Sequence, residues 1–263
     1  MNNKFSGIYY KHQSLSGYVL AVIVSHSNEG DMVQIITNDK SYYIIDVNSV
    51  EASFEGIKFN VNQNDLTITG NISFDSLLKP KKDVMSYFRY LPIECKHNIY
   101  SMYHSLFGSL VINGEKIDFT NGNGYIEGDQ GRNFPTKYVW LNAINERSSI
   151  TLAIASIPFK LFTITGVTCL IEHQGKEYRF GTYNFAKAKV IEKNHLVIKK
   201  GKYLLEIFID NNDGHALRAP VKGNMIRFIH ECPSVGIEYR LTYKGKAILK
   251  ETHKYASFEY VFD

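Results

Sequence analysis

Residues 18–47 read YVLAVIVSHSNEGDMVQIITNDKSYYIIDV, three apolar runs divided by short polar breaks. Inside the runs, β-branched and aromatic side chains recur with a period close to two, the spacing of a pleated strand. Residues 18–26, 31–39 and 41–47 are therefore expected to be strands, turned by SNEG and by a short polar turn. The same grammar continues outward. IKFNV, NQND and LTITGNISF (57–74) read as a hairpin, and so does GSLVINGEKIDF (108–119). Its Asn113-Gly114 is the strongest two-residue turn signal in the chain, because both positions tolerate positive φ. Further hairpins are expected to turn at Gln174-Gly175, Lys200-Gly201 and Lys244-Gly245. No amphipathic pattern lasts three helical turns, and residues 76–86 and the KHNIY region leave room only for short helices. About sixteen strands overfill one small closed barrel, whose interior is full at about eight. The expected fold is all-β, with two tandem β-barrel or β-sandwich units. The INERSS turn at 144–149 divides them into an N-terminal unit, 1–145, and a C-terminal unit, 146–263.

Composition narrows the function classes. At 44% hydrophobic and 21% charged, the 263 residues suit a globular chain and not a disordered one. The net charge of +4 is small, and lysines scatter into turns such as KKGK (199–202) and YKGK (243–246). Nucleic-acid binding needs basic residues gathered on one face, so no nucleic-acid partner is expected. MNNKFSGIYYKHQ lacks an apolar signal core, and no run approaches the length of a membrane span. Cys95, Cys169 and Cys232 are odd in number and match no zinc or disulfide spacing, so reduced thiols and a cytoplasmic location are expected. Eighteen Tyr and sixteen Phe can line a cavity with rings that also carry hydroxyl groups. Nucleophile-elbow, Walker and dinucleotide glycine patterns are absent.

GYIEGDQGRNFPTKYVW (124–140) concentrates charge in this apolar chain. On a strand, Tyr125, Glu127, Asp129 and Gly131 share one face. Burial raises a carboxyl pKa, and a second carboxylate raises it further, which suits a proton donor at neutral pH. The bland alternative is a loop marked by Gly124, Gly128 and Gly131, with the two acids pairing Arg132 or Lys137. His104 alternates with Met102 and Leu106, as a core histidine or a relay would. Glu94 and His97, three apart, read as a pair that orients one another or as an ordinary loop pair. No ligand spacing for a metal is recognised.

Four blocks carry a family resemblance: GIYYKHQ, ECKHNIYSMYHSLFGSL, GYIEGDQGRNFPTKYVW and GHALRAPVKGNM. In order and spacing they resemble the landmark segments of tocopherol cyclase-like proteins. Bacterial members of that group carry E-C-x-H, S-M-x-H and G-Y-I-E-x-D-W-G-x-x-F-P-x-x-Y-x-W. The resemblance implies paired lipocalin-like units, a cavity at or near their junction, and kinship with carotenoid hydratases. It also implies proton-initiated cyclisation or hydration of an isoprenoid or polyene without metal or redox cofactor. Gln130 and Ile8 stand where the family has Trp, Asn142 and Ile144 replace a W-x-Q-x-N continuation, and Tyr103 replaces an acid beside His104. The pocket is thus expected to be reshaped. Under this reading Glu127 is the acid, Asp129 its electrostatic partner and His104 a relay. Tyr125, Phe134 and Trp140 line the pocket, with Glu94 and His97 beside it. Arg218 anchors either a ligand's polar head or a carboxylate of the protein. A non-catalytic carrier of a lipophilic ligand remains the competing reading.

Overall fold

The computed structural model describes residues 4–159, 162–211 and 213–262. Among them the chain forms twenty strands and three short 3-10 turns. The first sheet contains β1 (Phe5–Gln13), β2 (Val19–Ser27), β3 (Gly30–Thr37), β4 (Ser41–Ile44) and β5 (Val50–Ala52). It continues with β6 (Gly56–Gln63), β7 (Leu66–Asp75), β8 (Cys95–Ile112), β9 (Glu115–Asp118) and β10 (Asn123–Gly131). The second contains β11 (Tyr138–Ile144), β12 (Ser148–Phe159), β13 (Phe162–His173), β14 (Lys176–Gly181) and β15 (Lys187–Glu192). It continues with β16 (His195–Lys200), β17 (Tyr203–Ile209), β18 (His215–Val221), β19 (Asn224–Tyr243) and β20 (Lys246–Val261).

The strand orders match position by position. The first sheet runs β4-β3-β2-β1-β10-β8-β7-β6-β5, with β9 on β8. The second runs β14-β13-β12-β11-β20-β19-β17-β16-β15, with β18 on β19. Each sheet curls antiparallel around its own apolar core as one of two tandem half-barrels of lipocalin-like type. A third cluster lies between them and draws on both, with Tyr9, Met102 and Tyr125 meeting Tyr138, Trp140 and Ile229. This explains why β2 is not a simple alternation. Leu20 and Val22 enter the first core while Ala21 enters the junction, so the strand is buried on both faces.

Tight hairpins follow the expected chemistry. Asn113-Gly114, Gln174-Gly175 and Lys244-Gly245 all place both turn residues at positive φ. Lys222-Gly223 makes a fourth such turn, at φ 51° and 79°, between β18 and β19. At Lys200-Gly201 the turn residues are Gly201 and Lys202, since Lys200 still pairs with Tyr203. The KHNIY region is part of β8 and not a helix, and the short helix near 76–86 is a 3-10 turn at Ser86–Tyr90. The chain passes from one sheet to the other over 132–137, while residue 145 lies in the β11–β12 hairpin. No helix among the described residues is long and apolar enough to cross a membrane.

Candidate active site

A cavity of about 430 Å³ opens at the junction of the half-barrels. Ile8, Phe134, Trp140, Leu217 and Ile229 give it apolar walls, and five acids interrupt them: Glu94, Glu127, Asp129, Glu231 and Glu259. Met85, Phe88, Leu91 and Ile93, from the segment between β7 and β8, also line it. That segment reaches the second half-barrel, where Tyr87 Oη donates to the Tyr183 carbonyl at 2.6 Å.

Glu127 sits on β10 opposite Tyr9 of β1 and Ile99 of β8. Its side chain is nearly sealed from bulk water, at 4% exposure. Three groups converge on one oxygen, Oε2. Tyr125 Oη donates at 2.6 Å, Trp140 Nε1 at 3.0 Å, and His97 Nε2 lies at 3.6 Å. Among the described residues no such contact falls on Oε1, which leaves that oxygen to a molecule in the cavity. Burial raises the Glu127 carboxyl, the His97 charge opposes that rise and Asp129 adds to it, so that the pKa is pushed up to about 7. Desolvation pulls the His97 imidazolium down, but Glu127 and Asp129 outweigh it and hold the group at about 9. Neither Arg132 nor Lys137 pairs with these acids. The Lys137 amine donates to the Phe262 carbonyl, and Arg132 bonds through its backbone.

His97 therefore joins the two acids instead of pairing with Glu94. Register places it directly across from Asp129, and its Nδ1 lies 3.0 Å from the Asp129 carboxylate. Cys95 Sγ donates to the same carboxylate oxygen at 3.6 Å. His97, Glu127 and Asp129 also bring one ligand atom each within 4.8 Å of the others, so they are the side chains here that could hold a metal ion. Both His97 nitrogens already face carboxylates, which favours proton transfer along Asp129, His97 and Glu127.

The other predicted residues divide. Trp140 and Phe134 line the cavity, while Tyr125 is fully buried behind Glu127 and its Oη shares a second hydrogen bond, of 3.0 Å, with the Thr151 hydroxyl. Glu94 borders the cavity from an exposed position, and its carbonyl accepts from the Arg132 amide. Arg218 also borders it, but its guanidinium stacks over Tyr43 at 5.0 Å and lies 6.0 Å from the Phe228 ring. His104 lies away from the cavity. Its register partner is Gly124, which faces the first core with Ile126, one residue out of phase with Glu127. A bulge in β8 ends the alternation expected for 102, 104 and 106: Met102 packs in the junction, Leu106 in the first core. Phe74 lies 4.7 Å from the His104 ring, and burial drives its pKa down to about 3. A neutral core imidazole results.

Sequence reasoning missed the acids of the second sheet. Glu231 accepts from Tyr9 Oη at 2.5 Å, and Glu259 accepts from Tyr138 Oη. Their signal was an acid in phase with apolar neighbours, as in Ile229–Glu231 and Glu259–Val261.

No family model and no curated protein matches this sequence. Solved structures do match. The chain has the fold of kievitone hydratase. That protein, from Nectria haematococca, aligns at TM-score 0.57 and 11% identity over 98% of this chain and 89% of its own. A putative AttH from Nitrosomonas europaea aligns at 0.56 and 10% identity, covering 98% and 92%. CghA aligns at 0.62 and 9% identity, covering 99% and 88%. At these identities the likeness is one of fold, and the tocopherol cyclase-like resemblance of the four sequence blocks has no family match behind it.

Proposed function

We propose that this protein is a hydratase- or cyclase-type enzyme that protonates an alkene of an elongated apolar molecule, of isoprenoid or polyene type, from Glu127. The observation that carries this reading is the free Oε1 of a buried carboxyl in the wall of an apolar cavity, with three groups gathered on Oε2. A carboxyl held near pKa 7 is protonated often enough at neutral pH to act, and acid enough to give the proton up. The π electrons take the Oε1 proton, a C–H bond forms, and the cation left on the neighbouring carbon faces the Trp140 and Tyr9 rings. These rings stand edge to face with centroids 5.2 Å apart, and such faces stabilise a cation by roughly 0.5–2 kcal/mol each. Water or a hydroxyl of the substrate then attacks that carbon; the C–O bond forms, the O–H bond of the nucleophile breaks, and its proton leaves to a base on the cavity wall. His97, held by Asp129, returns a proton to Glu127. No step in this scheme calls for a cofactor. The hydratase named among the structural relatives supports the reaction class, and the sequence blocks support the tocopherol cyclase-like kinship. Three free cysteines fit a reducing compartment such as the cytoplasm.

Native mass spectrometry of the purified protein would identify a co-purifying apolar molecule, to be assayed beside prenylated phenols and polyenes. Glu127→Gln keeps the shape but carries no proton. Turnover is expected to fall by roughly 100-fold or more with affinity preserved. Normal turnover would end the case for Glu127. Binding without turnover in both proteins would make the chain a carrier.

A further inference from the structure

We infer that Glu231 and Glu259 form a second proton-transfer site on the second sheet's wall of the cavity, sharing one proton and supplying the base that the proposed reaction needs. The two residues are direct register partners across β19 and β20, so their side chains leave the sheet on the same face. Both are more than nine-tenths buried, and both line the cavity. Each has a tyrosine on one oxygen only. Tyr9 donates to Oε1 of Glu231 and Tyr138 to Oε2 of Glu259, and among the described residues the other oxygen of each acid has no hydrogen-bond donor.

Two carboxylates this close and this dry do not both ionise. Burial raises both groups, and the charge of Glu231 raises Glu259 further. The groups facing the pair are known from every side. Tyr9 and Lys11 approach from β1, Glu127 and Asp129 from β10, Tyr138 from β11 and Cys232 from β19. The Lys11 amine is buried, donates to the Tyr255 carbonyl at 2.6 Å, and attracts the Glu231 charge. The pair thus holds one proton and one negative charge.

That inventory complements Glu127. Once Glu127 has given its proton to the alkene, water or a substrate hydroxyl attacks the cation and forms a C–O bond. The O–H bond of this nucleophile breaks, and its proton passes to the ionised carboxylate of the pair. One acid loses a proton and the other gains one; His97 returns a proton to Glu127, and exchange with solvent resets His97 and the pair. The order of events rests on the acid role of Glu127; the shared proton does not.

Infrared difference spectroscopy tests the pair in the Glu127→Gln protein, where Glu127 contributes no carboxyl signal. A protonated-carboxyl C=O band is expected at neutral pH, shifted when Glu231→Gln or Glu259→Gln is added singly and lost when both are. Saturation with N,N-dimethyldodecylamine, whose ammonium head mimics the cation, is expected to weaken the band by pairing with both carboxylates. Tyr138→Phe keeps both acids and removes one donor to the ionised form, so the band should titrate at higher pH. It covers the case in which a Gln variant fails to fold. Absence of the band, an unshifted band in both single variants, its survival in the double Gln variant, indifference to the amine or an unmoved Tyr138→Phe titration would each overturn the inference. None of these results depends on turnover. Lost turnover in Glu127→Gln with no band leaves the acid and removes the pair, and the reverse result does the opposite.

Discussion

The two half-barrels place an acid at the same point of the same strand path, yet neutralise its burial by opposite means. Glu127 on β10 faces Tyr9 of β1, and Glu259 on β20 faces Trp140 of β11. The donors are exchanged between halves. Trp140 of the second half donates to Glu127 of the first, and Tyr9 of the first donates to Glu231 of the second. The electrostatics then diverge. Beside Glu127 stands a cation, the His97 imidazolium, with Asp129 behind it. Beside Glu259 stands another acid. One half offsets the desolvation of a carboxylate with an ion pair, and the other avoids a second charge by keeping a proton. A duplicated frame thereby presents a cavity with two protonation sites of different character.

The largest expected effect separates these two solutions by pH. Glu231 has its folded pKa raised from 4.5 to about 7, so the folded chain holds this proton more tightly than the unfolded one. The stability from it is complete below 4.5 and lost as pH rises through about 7, an amount of roughly 3 kcal/mol. Glu231→Gln removes this dependence. Wild type should therefore lose stability against the variant across that window, and Glu259, whose carboxyl the Glu231 charge raises, extends the loss above it. Glu127→Gln removes a similar dependence, and it also takes away part of what holds His97 at about 9. The His97 contribution is complete below its ordinary 6.5 and lost as pH rises through about 9, so this difference should keep growing to that pH. Urea midpoints at several pH values read both windows. A Glu127→Gln difference that stops growing at about pH 7 would mean that His97 plays no part in neutralising Glu127.

Legibility followed the same division. The strands were readable because alternation is local and because turns such as Asn113-Gly114 require residues that accept positive φ. Tyr125, Glu127 and Asp129 were readable as one row because they sit on a single strand. What joins them was not. Tyr9 and Glu231 lie 222 positions apart, and Glu231 and Glu259 meet only through the β19–β20 register. His104 stands in the first core, away from the cavity, because a bulge in β8 breaks the parity that the alternation assumed. A bulge leaves no sure mark in a run such as SMYHSLFG.

A smaller effect probes the frame behind the acids. Gly124 stands three residues before Glu127, as Ala256 stands before Glu259. A Cβ at Gly124 would lie 2.0 Å from Nε2 of the buried His104 ring, so the first half has no room where the second holds a methyl group. Gly124→Ala is expected to cost about 1–3 kcal/mol by overpacking. Combined with His104→Ala, which clears the space, most of that added cost should disappear in a double-mutant cycle of melting temperatures. Full additivity would show that His104 is not what excludes the side chain.

The smallest effect concerns Arg218, which the sequence offered as an anchor for a polar head or a carboxylate. β18 presents Leu217 and Ala219 to the junction cluster, and alternation sends the intervening side chain the other way. The guanidinium stacks over the exposed Tyr43 ring instead of meeting an acid, while Gln34 holds the Arg218 amide at 2.8 Å through its own side-chain oxygen. Backbone pairing and ring stacking therefore give Arg218 a place in the wall without a charge in the cavity. Arg218→Ala keeps the Gln34 contact and loses only an exposed cation–π pair, worth about 0.5–1 kcal/mol. Melting should shift slightly, and affinity for an apolar ligand should not change. A tenfold loss of affinity would show that the guanidinium swings inward when the cavity fills. The second half would then supply a cation to match the one that His97 supplies in the first.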